Sequence, residues 1–291
     1  MPCRSQLACK AYGGEKLANR FDPTRRYVKI GRLLAQEPIM NIPDTVVIVP
    51  TYNESDNIDE LITRLLDLPV NLGVIVVDDN SPDGTGQKAD LWAEREPDRV
   101  HIVHRPGKLG LGTAYLSGFR LALDKFDAQR IMTMDADFSH NPRYIPAMIE
   151  ISECNDVVIG SRYVPGGGSL NCTWKRIWLS KIANFLARAT LGLQARDTTA
   201  GFRLYHRHVL ESIPLEQVFS SGYSFLVEML FMCQRRGWQI GEVPIIFEDR
   251  RKGTTKISRN EVIKAQYTVL RLLIRRLLAV PRSPFNGGYD T

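Results

Sequence analysis

Short apolar runs that end in polar turns recur along the chain from residue 46 onward. Five of them are rich in β-branched residues, as strands buried on both faces are: 46–49, 74–77, 100–103, 131–134 and 157–159. Between them, apolar residues recur at helical spacing over 57–68, 86–96 and 112–125. This alternation predicts an α/β fold in which helices flank a mostly parallel sheet.

Polar segments follow four of the predicted strands, at 50–54, 78–84, 135–137 and 160–162. Each could be an ordinary turn, because Pro, Asn, Asp and Gly are turn residues. Ligands of parallel α/β sheets, however, bind beyond the carboxyl ends of the strands. Four such segments on one rim therefore predict a ligand site there.

The sequence Asp135-x-Asp137 at the end of a buried strand is typical of a site for a hard divalent cation. Such a cation would neutralise a diphosphate leaving group. A solvated turn is the alternative for an isolated pair of this kind.

Acidic residues also close the second strand, at Asp78, Asp79 and Asp83. Their carboxylates could accept hydrogen bonds from a ribose hydroxyl or a base edge, as in dinucleotide-binding folds. An Asx-type turn before the next helix is equally compatible with the pattern.

A basic, glycine-containing loop at 247–256 includes Arg250 and Lys256, and Arg162 follows the fifth strand. Arginine and lysine in such positions bind phosphate through charge-assisted hydrogen bonds. The alternative is a solvated loop without a ligand.

Charge is divided unevenly along the chain. Residues 1–40, 41–249 and 250–291 carry net charges of +5, −7 and +8. Basic ends around an acidic body favour an anionic surface such as a membrane over nucleic acid. No apolar run is long enough to predict a membrane-spanning helix. The five cysteines form no CxxC pair, which makes a disulfide framework improbable and favours the cytoplasm.

Two later segments, 173–191 and 261–280, have the apolar periodicity of amphipathic helices. Trp174 and Trp178 in the first are suited to a membrane interface. We expect both helices to lie in the plane of a membrane surface, with packing on the sheet as the alternative.

Seven segments of the chain form an ordered set of motifs: 50–54 (PTYNE), 77–85 (VDDNSPDGT), 108–115 (KLGLGTAY), 135–140 (DADFSH), 160–163 (GSRY), 201–203 (GFR) and 222–225 (GYSF). In these motifs and their order, over about residues 45–257, the chain resembles the dolichyl/polyprenyl-phosphate mannose synthases, inverting GT-A transferases of glycosyltransferase family 2. The resemblance implies a GT-A (Rossmann-like) fold.

The resemblance also implies roles for single residues. Those that match nucleotide-sugar contacts are Pro50, Tyr52, Glu54, Val77, Asp79, Asp135, Ala136, Asp137, Arg162, Arg250 and Lys256. Asp135 and Asp137 match the metal-binding DxD, with Mg²⁺ or Mn²⁺ as cofactor, and Asp137 and Arg162 are the expected catalytic residues. Position 139 is Ser where some relatives have Gln.

The implied reaction transfers mannose from GDP-mannose to a polyprenyl (dolichyl-type) phosphate, giving β-mannosyl phosphoprenol and GDP. A phosphate monoester, with a second pKa of about 6, is largely dianionic at neutral pH and needs no catalytic base. Two alternatives remain: another donor such as UDP-glucose on the same lipid, and a non-catalytic nucleotide-binding subunit.

The resulting domain prediction has three parts. Residues 1–40 form a basic N-terminal extension, 41–257 the GT-A domain, and 258–291 a basic amphipathic C-terminal helix and tail. We expect the protein to attach peripherally to the cytoplasmic face of a membrane, and a membrane partner subunit stays an open question.

Overall fold

The structure is a computed structural model that describes residues 43–220, 222, 224–249, 267–274 and 276. Its strands are β1 (Thr45–Thr51), β2 (Leu72–Asp78), β3 (Val100–His104), β4 (Arg130–Thr133), β5 (Val157–Ser161), β6 (Gly168–Leu170), β7 (Arg203–His206), β8 (Ile240–Pro244) and β9 (Ile246–Glu248). Its helices are α1 (Ile58–Leu66), α2 (Thr85–Arg95), α3 (Leu111–Lys125), α4 (Ile145–Ser152), α5 (Trp174–Leu191), α6 (Arg207–Ser212) and α7 (Ser224–Arg235). Residues 267–274 form a further helix, α8.

Seven of the strands form one sheet in the order β3-β2-β1-β4-β7-β5-β8. All of its neighbouring pairs are parallel except those of β7, which is antiparallel to both β4 and β5. The mostly parallel sheet and its five predicted strands are therefore confirmed. Strands β6 to β9 are not predicted by the apolar pattern, because polar residues and glycine interrupt their short apolar runs.

The reversed direction of β7 determines what reaches the rim of the sheet. Arg203, the first residue of β7, pairs with Thr133 on one side and Ile159 on the other. The residues just before Arg203 therefore lie beside the carboxyl ends of β4 and β5. This places the segment 197–202 next to the DxD sequence.

The core lies in two layers because successive strand residues face opposite sides of the sheet. On one face, Val46, Ile48, Ile75 and Val77 pack against α3 and α7. On the other face, Val47, Val49, Val74 and Val76 pack against α1 and α4. Burial on both faces explains the continuous apolar strand sequences.

A smaller apolar cluster joins the end of α5 to α7 and α8, through Leu191, Leu230 and Leu272. The predicted helix over 173–191 is confirmed as α5. The second predicted amphipathic segment, 261–280, is described at 267–274 and 276, and these positions are helical. None of the described helices is both long enough and apolar enough to cross a membrane.

Two of the cysteines that the structure describes carry free thiols: Cys172, which is partly buried, and Cys233, which is buried.

The close approach of α3 to β1 makes a stability prediction at Gly118. A Cβ added there would lie under 3.0 Å from the Cγ2 methyl of Ile48. Alanine favours a helix by about 1 kcal/mol over glycine, but overpacking costs about 1–3 kcal/mol. The added Cβ would lie well inside contact distance of a branched core side chain, so the upper half of the overpacking range applies. We therefore expect Gly118→Ala to lower the free energy of unfolding by about 1–2 kcal/mol in urea denaturation.

Two comparisons isolate the steric cause. Gly107→Ala, at a position with no atom within 4 Å of an added Cβ, should change stability by less than about 0.5 kcal/mol. In an Ile48→Ala background, which removes the methyl group, Gly118→Ala should no longer destabilise. Equal destabilisation in both backgrounds would contradict the steric explanation.

Candidate functional site

The DxD sequence leaves β4 at the rim of the sheet, where a tight turn holds its second carboxylate. The backbone N–H of Ser139 donates to Asp137 Oδ1 at 3.1 Å, and Phe138 adopts a positive φ of 61°. Asp137 and Ala136 are buried, whereas about a third of the Asp135 side chain is exposed. The loop thus presents carboxylate oxygens at the strand end while its backbone is constrained.

The donor set near this loop suits a hard cation. Asp135 and Asp137 supply oxygen ligands, and the Ser139 hydroxyl is buried without a hydrogen-bond partner among the described residues. Within that part of the chain, no group of three or more His, Cys, Asp or Glu is gathered for a metal. Asp135, Asp137 and Ser139 are three side chains with oxygen donors, and a cation such as Mg²⁺ usually keeps further coordination positions for water or phosphate.

Two buried residues, Tyr115 and His140, contact Asp135. The hydroxyl of Tyr115, on α3, donates to Asp135 Oδ1 at 3.3 Å. The backbone N–H of Asp135 donates to His140 Nδ1 at 3.1 Å. The same Nδ1 atom lies 3.8 Å from Asp135 Oδ2, so the His140 ring is close to both the backbone and the carboxylate of Asp135.

Two of the three acidic residues at the end of β2, Asp78 and Asp83, form hydrogen bonds that connect the loops at the rim. Asp78 is buried and accepts from the hydroxyl of Thr51 at 2.9 Å and the backbone of Ser81 at 2.9 Å. Asp83 accepts from the backbone of Ser55 at 3.0 Å and the hydroxyl of Thr85 at 2.6 Å. For Asp78 and Asp83, the turn alternative is thus the observed one.

Asp79 differs because it faces a cation. Its Oδ1 lies 2.8 Å from Arg105 Nη1, and both side chains are almost fully buried. Burial raises the pKa of the Asp79 carboxyl, and the charges of Arg105 and Lys108 oppose the rise without cancelling it. Arg105 also donates to the hydroxyl of Thr113 at 2.6 Å, which ties it to α3.

The segment after β1 lies next to this pair. Tyr52 is exposed, and Lys108 Nζ lies 4.5 Å from the centroid of its ring. The backbone N–H of Glu54 donates to Thr85, and its carboxylate accepts from Asn57 at 2.7 Å. Pro50 is partly buried at the end of β1. Val77 is fully buried in the core, so its predicted nucleotide contact has no exposed side chain to make it.

Arg162 is held by a carboxylate that the sequence analysis did not single out. Its Nε and Nη2 both donate to Asp197, at 2.7 Å each, and Nη2 also donates to Thr199 at 2.9 Å. Burial opposes the charged form, but the hydrogen bonds and charge of Asp197 outweigh it, so the pKa of Arg162 is raised. The N–H groups of Nη1 have no hydrogen-bond partner among the described residues.

A groove of about 690 Å³ adjoins Arg162. It is lined on one side by α5, which contributes Lys181, Phe185 and Arg188, and Arg196 lies at its border. The groove therefore combines cationic groups with an apolar aromatic surface next to a fixed guanidinium.

Two predicted site residues, Arg250 and Lys256, lie outside the described residues. The structure describes the chain up to Asp249, and the residues just before Asp249 lie at the site. The ring of Phe247 is 5.4 Å from the guanidinium of Arg162 and 5.8 Å from the ring of His140.

Three contributors to the rim were missed in the sequence. Arg105 follows β3 directly, and a charged residue after a predicted strand was a usable signal. Tyr115 is the last residue of the segment 108–115, and the sequence predicts no separate role for it. Asp197 lies four residues before Gly201-Phe202-Arg203, and no local pattern indicates its ion pair with Arg162 across 35 positions.

Solved structures with similar folds include two glycosyltransferases. One is glucosyl-3-phosphoglycerate synthase from Mycobacterium tuberculosis in complex with Mn²⁺ and UDP, with a TM-score of 0.56, 19% identity and 80% of each chain covered. The other is a mannosyltransferase from Pyrobaculum calidifontis in complex with GDP-Man and Mn²⁺, with a TM-score of 0.54, 18% identity, and 84% of this chain and 66% of that chain covered. The predicted GT-A fold is confirmed.

Two curated proteins are similar over most of their length. A polyprenol monophosphomannose synthase of Mycolicibacterium smegmatis is 43% identical over 232 residues, which are 79% of this chain and 87% of that protein. An undecaprenyl-phosphate mannosyltransferase of Micrococcus luteus is 43% identical over 227 residues, which are 78% of this chain and 92% of that protein.

The family model for glycosyl transferase family 2 matches residues 46–213, the segment that builds the sheet from β1 to β7 and the whole DxD loop. Together with the fold and the two relatives, this match shows that the chain is a glycosyltransferase of glycosyl transferase family 2.

Proposed function

We propose that the protein transfers mannose from GDP-mannose to a polyprenyl phosphate, giving β-mannosyl phosphoprenol and GDP. The proposal rests on one observation: an acidic DxD loop and a guanidinium group held by Asp197 lie at the same rim of the sheet. The names of the two relatives at 43% identity, a polyprenol monophosphomannose synthase and an undecaprenyl-phosphate mannosyltransferase, support the sugar and the lipid. The complex of the Pyrobaculum mannosyltransferase with GDP-Man supports the donor.

Asp135 and Asp137 would hold a divalent cation, Mg²⁺ or Mn²⁺, together with the donor diphosphate. When bound, that cation stabilises the charge that develops on the leaving GDP. The two solved transferases in complex with Mn²⁺ support this assignment. The buried Ser139 hydroxyl lies on the same loop and is a further oxygen ligand available at the site.

Arg162 would hold the phosphate of the acceptor. Asp197 fixes the guanidinium plane through two parallel hydrogen bonds, so Nη1 can donate to phosphate without a change of rotamer. The dianionic phosphate oxygen then attacks the anomeric carbon from the side opposite the leaving group. The groove along α5 gives the first prenyl units an apolar surface beside that phosphate.

A donor-competition assay tests the reaction directly. The purified protein is incubated with a detergent-solubilised polyprenyl phosphate, Mg²⁺ or Mn²⁺, and either labelled GDP-mannose or labelled UDP-glucose. We expect label in the organic phase from GDP-mannose alone. Label from UDP-glucose alone would overturn the donor, and label from neither would support the non-catalytic alternative.

The acidic pair provides the catalytic control in the same assay. Asp137→Asn keeps the side-chain volume but removes the charge, and should lower turnover about 100-fold or more. Asp98→Asn, at an exposed position, should keep wild-type turnover. Full activity of Asp137→Asn would remove the cation from the proposed mechanism.

Asp79 is positioned to recognise the nucleoside of the donor. Its buried carboxylate can accept hydrogen bonds from the base or ribose, and Arg105 holds it in place. Tyr52 and Lys108 border the same region with an aromatic ring and a cation. These three side chains, which follow β1, β2 and β3, together provide a nucleoside contact surface.

The raised pKa of Asp79 predicts how nucleotide binding depends on pH. Because that pKa lies above the ordinary 3.8, the accepting carboxylate is lost at a higher pH than an exposed aspartate would be. GDP affinity should fall as pH drops through the pKa of Asp79. Arg105→Gln should move this fall to higher pH, since the opposing charge is gone. Calorimetric titration with GDP from neutral pH to about pH 4.5 measures both shifts.

Arg105→Gln should also change the free energy of unfolding, and the raised pKa of Asp79 determines how that change depends on pH. A carboxyl whose folded pKa is raised stabilises the fold below its unfolded pKa, and this contribution is lost as pH rises through the folded pKa. Arg105→Gln should therefore cost most at neutral pH, about 3–5 kcal/mol, and less in acid. Arg120→Gln, which removes an exposed cation from α3, should alter neither profile. A cost of Arg105→Gln that does not depend on pH would contradict the pairing.

We also propose that α5 attaches the protein to the membrane that holds its acceptor. Apolar side chains at helical spacing are exposed along this helix: Trp174, Trp178, Leu179, Ile182, Phe185 and Leu186. Lys181 and Arg188 lie among them and can contact anionic headgroups. An apolar face with cationic neighbours is typical of a helix that lies in a membrane interface.

Vesicle flotation tests this attachment with vesicles of phosphatidylcholine and phosphatidylglycerol. Burying an aromatic side chain stabilises by about 1.5–3 kcal/mol, so Trp178→Ser or Phe185→Ser should each lower the partition coefficient about tenfold or more. Added salt should weaken binding as well. Leu91→Ser, which removes another exposed large apolar side chain, this one from α2, is the control. An effect of Leu91→Ser as large as that of Trp178→Ser would contradict a specific role for α5.

A further inference from the structure

Three motifs that are distant in sequence converge on Asp135. Tyr115 comes from the segment 108–115, His140 from the DxD segment, and Gly201 and Phe202 precede β7. A Cβ added at Gly201 would lie 3.4 Å from the His140 ring, 3.6 Å from Asp135 Oδ1 and 3.7 Å from the Tyr115 hydroxyl. These groups therefore share one small volume, which the missing side chain of Gly201 leaves open.

The side chains that contact Asp135 in this cluster have little freedom to move. Tyr115 is fully buried and its ring stacks with Phe225 at 5.9 Å between centroids. His140 is also buried, stacks on Phe202 at 5.3 Å, and meets the edge of Phe247 at 5.8 Å. Packing thus determines where the Tyr115 hydroxyl and the His140 Nδ1 atom lie.

Each of them fixes a different part of Asp135. The Tyr115 hydroxyl donates to Oδ1 of the carboxylate at 3.3 Å, and His140 Nδ1 accepts from the backbone N–H at 3.1 Å.

We propose that Tyr115 and His140 are positioning residues for Asp135, holding its carboxylate and backbone in the arrangement that takes up a divalent cation with the nucleoside diphosphate. This inference rests on the proposed function, because it assumes that the DxD loop binds the cation. Side chains that orient metal ligands from behind contribute about 10–100-fold to metal affinity in other proteins.

Binding of Mn²⁺ in the presence of GDP tests the proposal without any turnover. Free Mn²⁺ is measured by electron paramagnetic resonance, and GDP affinity without metal is measured in parallel. Tyr115→Phe removes the hydroxyl alone and should weaken Mn²⁺ binding about 10–100-fold. Its metal-free GDP affinity should stay that of the wild type, because Tyr115 contacts Asp135 rather than the proposed nucleoside surface.

Conservative and matched variants separate positioning from a general loss of structure. His140→Asn places Oδ1 where Nδ1 stands and should keep Mn²⁺ affinity within about threefold, whereas His140→Leu should lose about tenfold or more. Tyr205→Phe removes the hydroxyl of another buried tyrosine, which contacts Arg203 rather than Asp135, and should bind Mn²⁺ like the wild type.

The outcomes distinguish this inference from the proposed function. Wild-type Mn²⁺ affinity in Tyr115→Phe, or equal losses in His140→Asn and His140→Leu, would overturn the positioning roles alone. Absence of Mn²⁺ binding by the wild-type protein with GDP would overturn the metal site of the proposed function, and this inference with it.

Discussion

A guanidinium group without solvent contact lies beneath the site. Arg203 is fully buried and donates to the carbonyl oxygens of Thr198, Ala200 and Leu226 at 2.6–2.8 Å. A buried charge costs several kcal/mol unless its donors are satisfied. Arg203 therefore holds the backbone just before β7 in the conformation that presents the Thr198 and Ala200 carbonyl groups. Its hydrogen bond to Leu226 links this segment to α7.

The positions of other side chains at the rim depend on this backbone conformation. The segment fixed by Arg203 carries Asp197, which orients Arg162, and Phe202, which stacks on His140. Because β7 runs antiparallel to its neighbours, this segment lies beside the carboxyl ends of β4 and β5. One reversed strand thus brings the cationic and the acidic parts of the site together.

Aspartates with the same chemistry have different roles on this rim. Asp78 and Asp83 accept hydrogen bonds from the protein's own backbone and hydroxyl groups and so lock two loops together. Asp79 is buried against Arg105, and burial raises its pKa. Asp135 keeps part of its side chain exposed. Which role each aspartate takes depends on its neighbours in space rather than on its neighbours in sequence.

The sequence by itself determined the five parallel strands, the helices between them and the rim at which we propose that ligands bind, because strand and helix periodicity are local properties of the chain. It also singled out Asp135 and Asp137, which directly follow a buried strand. Only the tertiary structure decided the reversal of β7, the ion pairs of Arg105 and Arg162, and the convergence of Tyr115 and His140 on Asp135. Most of these contacts join residues that are far apart in sequence, and the His140 ring, although near Asp135 in sequence, is placed by the distant Phe202 and Phe247. Burial and charge bring these groups together only when the sheet has formed.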